Sequence, residues 1–377
     1  MTAPVQQDRQ PRQPVIQLQN PVQEHFETFI VSNAQQWQTR VAAEMEGTIP
    51  EAEYTAILDE LGKHRLGAAY LQSPAFHDAV TDFAMRYVAR ENEGQGQHLV
   101  LCGAGPSLRD HAAEWCPKAC QVWGCNSAMT WLHSEGHRVT HGFTVDQTPH
   151  MIAEWASAPD VEYLLASSVH PHLTKLLWDQ DRTVRFFHNF VGIKKPNVQW
   201  ADANGVMCQL PFEQWLYQGL FPPTLMCGSG LNAVTRALDL ARFMGFEKIT
   251  VLGADSCIRL KQSPTKRHEL GSKQHLRWLK KNTVMHADGG SAVASEASPL
   301  TVQGYIDGRF WMTKLDLIIS AQWLVRMTRA SRGRIELIGD TLPGALMDKD
   351  EAFLRRLPNF VMPDGTIANI PEFLDGY

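Results

Sequence analysis

The chain has 377 residues, with 35 Lys and Arg against 40 Asp and Glu, for a formal net charge of −5. Hydrophobic residues make up 44% and charged residues 20%, the balance of an ordinary globular chain long enough for one large domain or two smaller ones. This excludes a disulfide-stapled miniprotein and a wholly disordered chain, and the mildly acidic balance does not indicate nucleic acid as a partner.

No uninterrupted run of about 18 apolar residues occurs, so no membrane span is expected. The opening MTAPVQQDRQPRQPVIQLQN has no apolar signal core. The seven cysteines (102, 116, 120, 125, 208, 227 and 257) form no CxxC pair. Free thiols in a reducing compartment, and so a cytoplasmic location, are the expectation. The spacing of Cys116, Cys120 and Cys125, with no later Cys/His pair, argues against zinc.

Residues 1–20, rich in Gln and Pro, read as a disordered tail. Residues 21–95 read as an α-helical module of about three helices, with Phe26, Phe29, Ile30 and Trp37 at near-helical spacing. Gly94-Gln95-Gly96-Gln97 looks like a linker. From 96 to 345 short apolar runs alternate with amphipathic segments: HLVLC, QVWGC, HGFTVD, VEYLLA and KITVLGAD each stand beside a helical stretch. That alternation predicts an α/β fold, a doubly wound, mostly parallel, Rossmann-like sheet behind the helical module. The polar stretch 259–300 reads as an insertion or lid, MTKLDLIISAQWLVRMTRA as a final helix leading to the strand RIELIGD, and 346–377 as a C-terminal tail.

The strongest local signal is Gly103-Ala104-Gly105-Pro106-Ser107-Leu108, directly after the first strand. Glycines there permit close backbone approach or unusual φ. Pro106 and Ser107 open a helix, with Ser107 a candidate N-cap, and a helix start suits a phosphate. No Lys-Ser/Thr follows and Leu108 holds the third glycine position, so this is neither a P-loop nor a full dinucleotide fingerprint. The plainer reading is a tight strand-to-helix turn.

Further candidates stand at later strand ends. Asn126, followed by Ser127, can bond a ribose or base, or only cap the next helix. Asp146 ends the third strand, and Asp255 ends the strand KITVLGAD; acids at such edges can hold Mg2+ or orient a hydroxyl. His170, beside Ser167, Ser168 and His172, is a candidate general base on an acceptor hydroxyl. Gly228 and Ser229 open a second amphipathic helix whose apolar face is Leu231, Val234, Ala237, Leu238, Ala241 and Met244. Two acids and two glycine turns at strand ends suit phosphate chemistry through Mg2+.

The order of these motifs resembles the domain-of-unknown-function 115 family, the archaeal MptE type of 6-hydroxymethylpterin diphosphokinase. The likeness lies in Gly103–Leu108, Asn126, Asp146, the run Gly245-Phe246-Glu247-Lys248-Ile249 through Gly253-Ala254-Asp255, and Trp311-Met312-Thr313 before a long helix. It spans about 96–345. The Gly103–Leu108 element also resembles bacterial sialyltransferases and flagellin-modifying glycosyltransferases. The resemblance implies a nucleotide-bearing donor. One form is transfer of a phosphoryl or diphosphoryl group from ATP to a hydroxymethyl-bearing small-molecule acceptor. The other is sugar transfer from a nucleotide-sugar. A non-catalytic nucleotide-binding or assembly protein is the remaining alternative, and a homo-oligomer is left open. The segment Ile338–Ala345 departs from the family pattern.

Overall fold

A computed structural model of the protein describes residues 89–146, 150–157, 159–166, 169, 171–189, 197–201, 207–211, 226–227, 232–260, 283–284, 301–357 and 360–361. Strand and helix alternate at first: β1 (His98–Cys102), α1 (Ser107–Trp115), β2 (Gln121–Cys125), α2 (Ser127–Ser134), β3 (His141–Thr144), α3 (His150–Glu154), β4 (Glu162–Ala166), α4 (Pro171–Asp179) and β5 (Thr183–Asn189). The antiparallel pair β6 (Asn197–Ala201) and β7 (Met207–Pro211) follows, then β8 (Met226–Cys227), α5 (Ala233–Phe243) and β9 (Lys248–Leu252). Next come β10 (Arg259–Leu260), β11 (Thr283–Val284), β12 (Thr301–Ile306), β13 (Arg309–Lys314) and α6 (Leu315–Ala330). The last elements are β14 (Ile335–Leu337), α7 (Leu342–Leu346), α8 (Glu351–Arg356) and β15 (Phe360–Val361). The fold is α/β, doubly wound, mostly parallel and Rossmann-like.

The chain divides into two units, Met1–Arg90 with Thr144–Met226, and Glu91–Phe143 with Cys227–Tyr377. In the second unit the strands run parallel in the order β14-β9-β1-β2-β3. β1 is central: Val100 stands between Val122 and Thr250. Its run of Leu99, Val100, Leu101 and Cys102 is fully buried, as a parallel strand covered on both faces requires. Val100 and Cys102 join Leu108, Ala112 and Cys116 of the α1 side in one core. α5 packs on β1 as well. Val234, Ala237, Leu238 and Ala241, with Met244, are buried, and so are Thr235, Arg236, Asp239 and Leu240 between them, so this helix is covered on more than the one face its apolar period marks. A second core joins Val302, Trp311, Ile318, Val325, Leu342, Leu346 and Leu354. In the first unit β4 and β5 pair in parallel, and Trp155 packs on Tyr163 with ring centroids 5.2 Å apart.

Several elements differ from the sequence reading. Gly94–Gln97 is docked chain: Gly94 N–H donates to Met244 O at 2.7 Å, and a Cβ at Gly94 would lie 2.7 Å from the Phe246 ring. Met312–Lys314 end β13 rather than begin α6. The β12–β13 hairpin turns on Asp307 (φ 52°) and Gly308 (φ 79°), an Asp-Gly pair in the left-handed region that hairpin turns favour. β5 and the β6–β7 pair are further strands the periodicity did not single out. Of the 259–300 stretch, Arg259–Leu260 and Thr283–Val284 pair antiparallel. The rest, residues 1–20 and the helical module to residue 88 lie outside the described residues. Among the described residues no helix is long and apolar enough to cross a membrane. The described cysteine side chains, Cys102, Cys116, Cys120, Cys125, Cys227 and Cys257, are free of disulfides.

Candidate functional site

In the second unit the chain steps from β1 outward to β2 and β3, while β9 and β14 lie on the other side. The strand order therefore reverses between β1 and β9. In open α/β sheets the crevice beyond the carboxyl ends of two such strands is where ligands bind. Two loops meet there, Gly103–Ser107 after β1 and Gly253–Ile258 after β9.

The glycines in these loops are required by space. A Cβ on Gly103 would lie 2.6 Å from Gly253 O, and one on Gly105 would lie 2.6 Å from the same oxygen and collide with Asp255 Oδ2. Gly253 (φ +62°) would collide with Gly103 O. Gly105 N–H donates to Gly253 O at 2.9 Å, and Gly103 N–H to Leu252 O at 2.8 Å. Two strand-end loops are thus zipped together through bare backbone.

Asp255 closes the zipper. Its side chain is buried, and Oδ2 accepts the Ser107 N–H at 3.0 Å. The N-cap of α1 is Pro106, not Ser107, and no side chain on that residue caps the helix. The carboxylate from the loop after β9 supplies the missing acceptor and complements the positive end of the helix dipole. This alters the expected phosphate cradle. The N–H groups of Gly103, Gly105 and Ser107 are donated inside the protein, and Pro106 has none. Ala104 N–H has no partner among the described residues.

The Asp255 loop is held by three further bonds, one from the start of α7 and two from β13. Leu342 N–H donates to Asp255 O at 3.0 Å, Thr313 Oγ1 to Ser256 O at 2.7 Å, and Ile258 N–H to Met312 O at 2.7 Å. Ser256 is buried with φ 49°, a left-handed conformation sustained by these bonds. Burial, with the Asp255 charge adding to it, pushes the Cys257 thiol up. Met312 and Thr313, singled out in the sequence, are thus fasteners of this loop. Ser256, Leu342 and Gly339 were not singled out. Residue Gly339 (φ +101°) marks the end of β14, where a Cβ would lie 3.0 Å from Ser107 Cβ. Beside it Asp340 pairs with Arg309, whose guanidinium lies 4.3 Å over the Trp311 ring.

Asn126 stands at the carboxyl end of β2 with φ 49° and ψ −124°. It occupies the N-cap position of α2 but its side chain makes no capping bond. Its N–H donates to Phe143 O at 3.0 Å. Gly124 lets the helix fold back, since a Cβ there would strike the Met129 backbone. A sharp, strained strand-to-helix turn thus sets Asn126 half-buried at the strand end, its Oδ1 shielded from solvent, and Ser127 begins α2.

The first unit holds Asp146, whose N–H donates to Thr144 Oγ1 at 3.0 Å. Its carboxylate lies 3.4 Å from His150 Nε2, a residue the sequence reading passed over. His170, Ser167, Ser168, Gly228 and Ser229 lie outside the described residues. The helix that Gly228 and Ser229 were expected to open starts later. Asn232 caps α5, accepting Thr235 N–H at 3.0 Å, and the Thr235 side chain returns a bond to the Asn232 N–H. Among the described residues no group of three or more His, Cys, Asp or Glu side chains is arranged to hold a metal ion. Mg2+ is commonly held by one or two carboxylates plus substrate phosphates. Among the described residues no all-protein cage forms around Asp146 or Asp255.

No family model matches the chain, and no curated protein matches its sequence. Among solved structures it is similar to the MAf glycosyltransferase from Magnetospirillum magneticum AMB-1, with 11% identity and a TM-score of 0.43. The likeness covers 83% of this chain and 46% of that one, so the chain spans about half the length of that protein.

Proposed function

We propose that the protein is a nucleotide-dependent transferase, moving a group from a nucleotide-bearing donor to the hydroxyl of a small-molecule acceptor. The observation that carries this reading is the β1/β9 crevice, where Gly103–Ser107 and a buried Asp255 converge at the point of strand reversal. Asn126, at the adjoining strand end, would contact the donor's ribose or base. The acceptor oxygen would bond to the transferred group as the donor's bond to its leaving phosphate oxygen breaks. The hydroxyl proton would pass to a base, for which His170 is the candidate.

One form is phosphoryl or diphosphoryl transfer from a nucleoside triphosphate to a hydroxymethyl acceptor. There Mg2+, held by Asp146 or Asp255 together with the phosphates, would neutralise charge on the transferring group. The second form is sugar transfer from a nucleotide-sugar. A specific observation favours a CMP-sugar, whose single phosphate needs fewer donors than a triphosphate: Gly103, Gly105 and Ser107 donate their N–H groups within the protein.

Thermal denaturation with ATP, GTP, CTP, CMP and UDP, each with and without Mg2+, tests the reading. A ligand at about 100 times its Kd stabilises by about 2.7 kcal/mol, which raises Tm by a few degrees. Mg2+-dependent stabilisation by a purine triphosphate supports phosphoryl transfer. Metal-independent stabilisation by CMP or UDP supports sugar transfer. No shift with any of them contradicts the transferase reading and favours an assembly role.

A further inference from the structure

The turn of the β12–β13 hairpin is pinned on both sides. Asp307 takes the Lys349 ammonium at 2.7 Å, and Arg309 pairs with Asp340. The Arg309 guanidinium also lies 4.3 Å over the ring of Trp311, a residue only 4% exposed. The Arg309 side chain is nevertheless half open to solvent, at 50% exposure. Asp340 takes one bond from Nη1, and the other N–H groups of the fork have no partner among the described residues. Lys349, the second cation at this turn, is shared between Asp307 and Asp348.

This open cation stands by the two crevice loops. Asp340 follows Gly339, which packs on Ser107 at the start of α1. Two residues further on, Leu342 N–H bonds Asp255 O. Arg309 and Asp340 both lie close enough to Cys257, in the loop after β9, to act on its thiol. A donor phosphate needs such a cation here. Gly103, Gly105 and Ser107 donate their N–H groups inside the protein, and the Asp255 carboxylate repels an anion. The backbone of these loops does not offset a phosphate's charge.

We infer that Arg309 is the anion anchor of the site and takes the donor's phosphate. The inference rests on the transferase reading and names the group that holds the donor's charge. A guanidinium fork matches two phosphate oxygens at once, and stacking on a buried ring fixes its plane before a ligand arrives. Such preorganisation lowers the ordering cost of binding. The exposed pair with Asp340 is weak, so a doubly bonded phosphate can share the fork or displace the carboxylate. If Arg309 served only to cover the Trp311 ring, a methionine would replace it with no effect on any ligand.

Titration calorimetry on the full chain tests this with CMP, UDP and ATP, each compared with its nucleoside: cytidine, uridine and adenosine. Arg309→Met still covers the Trp311 ring but carries no charge. Arg309→Lys keeps the charge without the fork, and Asp340→Asn releases the fork. Arg356→Gln, on α8, changes the net charge by the same amount on another element. We expect wild type to bind at least one nucleotide more tightly than its nucleoside. Arg309→Met should lose about tenfold or more for that nucleotide, as for a lost charged hydrogen bond, and nothing for the nucleoside. Arg309→Lys should fall between the two, Asp340→Asn should bind at least as tightly as wild type, and Arg356→Gln should match wild type. An Arg309→Met chain that binds the nucleotide as wild type does, or loses nucleotide and nucleoside alike, overturns the anchor and leaves the transferase reading standing. Equal binding of nucleotide and nucleoside by wild type does the same. So does an Asp340→Asn chain weakened as much as Arg309→Met, since the pair then acts by holding the turn, or an equal loss in Arg356→Gln, since the effect is then one of net charge. A wild type that binds no probe overturns the transferase reading, and the anchor falls with it.

Discussion

Asp255 Oδ2 accepts the backbone N–H of Ser107 at 3.0 Å, so an acid in the loop after β9 supplies an acceptor at the start of helix α1. The bond is buried and spans 148 residues of sequence. Removing it by Asp255→Ala leaves a buried N–H unsatisfied, at an expected cost of about 1–3 kcal/mol. Asp255→Asn retains an acceptor and should lose under about half of that. Urea denaturation of the two variants checks the ordering, and equal stability of Asp255→Ala and wild type would contradict it.

Gly105 and Gly253 have no room for a side chain. A Cβ on Gly105 meets Asp255 Oδ2 and Gly253 O, and one on Gly253 meets Gly103 O. Neighbours that are backbone cannot swing aside. Gly105→Ala and Gly253→Ala should each destabilise by about 1–3 kcal/mol, the range for forced overpacking. Gly253→Ala should be the worse of the two, since its φ of +62° adds strain. Gly308→Ala makes a useful comparison: its φ is +79° but nothing stands within 4 Å of a Cβ there, so conformational strain acts without collision.

Asn126 holds φ 49° and ψ −124° without capping α2. Glycine adopts that conformation without strain, so Asn126→Gly should raise stability by about 1 kcal/mol. If the side chain contacts the donor, the same variant binds nucleotide more weakly. Thermal melting with and without ligand reads both effects. A variant that melts lower than wild type would contradict the account of strain.

His98 at the head of β1 bonds Thr250 Oγ1 at 3.0 Å, and its pKa is held below 6.5 by burial and by the Lys248 charge. The unfolded chain therefore takes up this proton more readily than the folded one. The stabilisation from the neutral ring is complete above pH 6.5 and is lost as pH falls through the lower folded-state value. His98→Gln should flatten this part of the stability-against-pH curve. An unchanged slope would assign it to other groups.

Much of the fold could be read from the sequence, because each parallel strand is a short apolar run and each helix repeats its apolar face. HLVLC, QVWGC and KITVL became strands, and Val234, Ala237, Leu238 and Ala241 became buried helix residues, although Thr235, Arg236 and Asp239 of the polar side are buried with them. The β12–β13 hairpin went unread although Asp307-Gly308 between two apolar-rich runs signals such a turn. Met312–Lys314 were absorbed into the helix that follows them. The start of α5 was placed at Gly228 and Ser229, while the Asn232 and Thr235 capping pair marks it at Ala233.

The candidate site was legible as separate residues and not as contacts. Gly103, Gly105 and Asp255 each stood out at strand ends. Their zipper depends on β1 and β9 being neighbours, a consequence of strand order that no local pattern carries. Gly339 and Ser256 had no local signal, since the close packing of one on Ser107 and the strain at the other exist only once β14, β13 and α7 converge. The pairing of Ser107 with Asp255 turned an expected anion site into a place where a carboxylate already stands.

The most direct test of the central claim is amide hydrogen exchange of the full chain, free and with saturating nucleotide or nucleotide-sugar. The account predicts that ligand slows exchange at residues 103–108 and 253–258 together, the two sides of the β1/β9 crevice, with Asn126 joining them. Binding that protects other segments and leaves those two loops unchanged would contradict it.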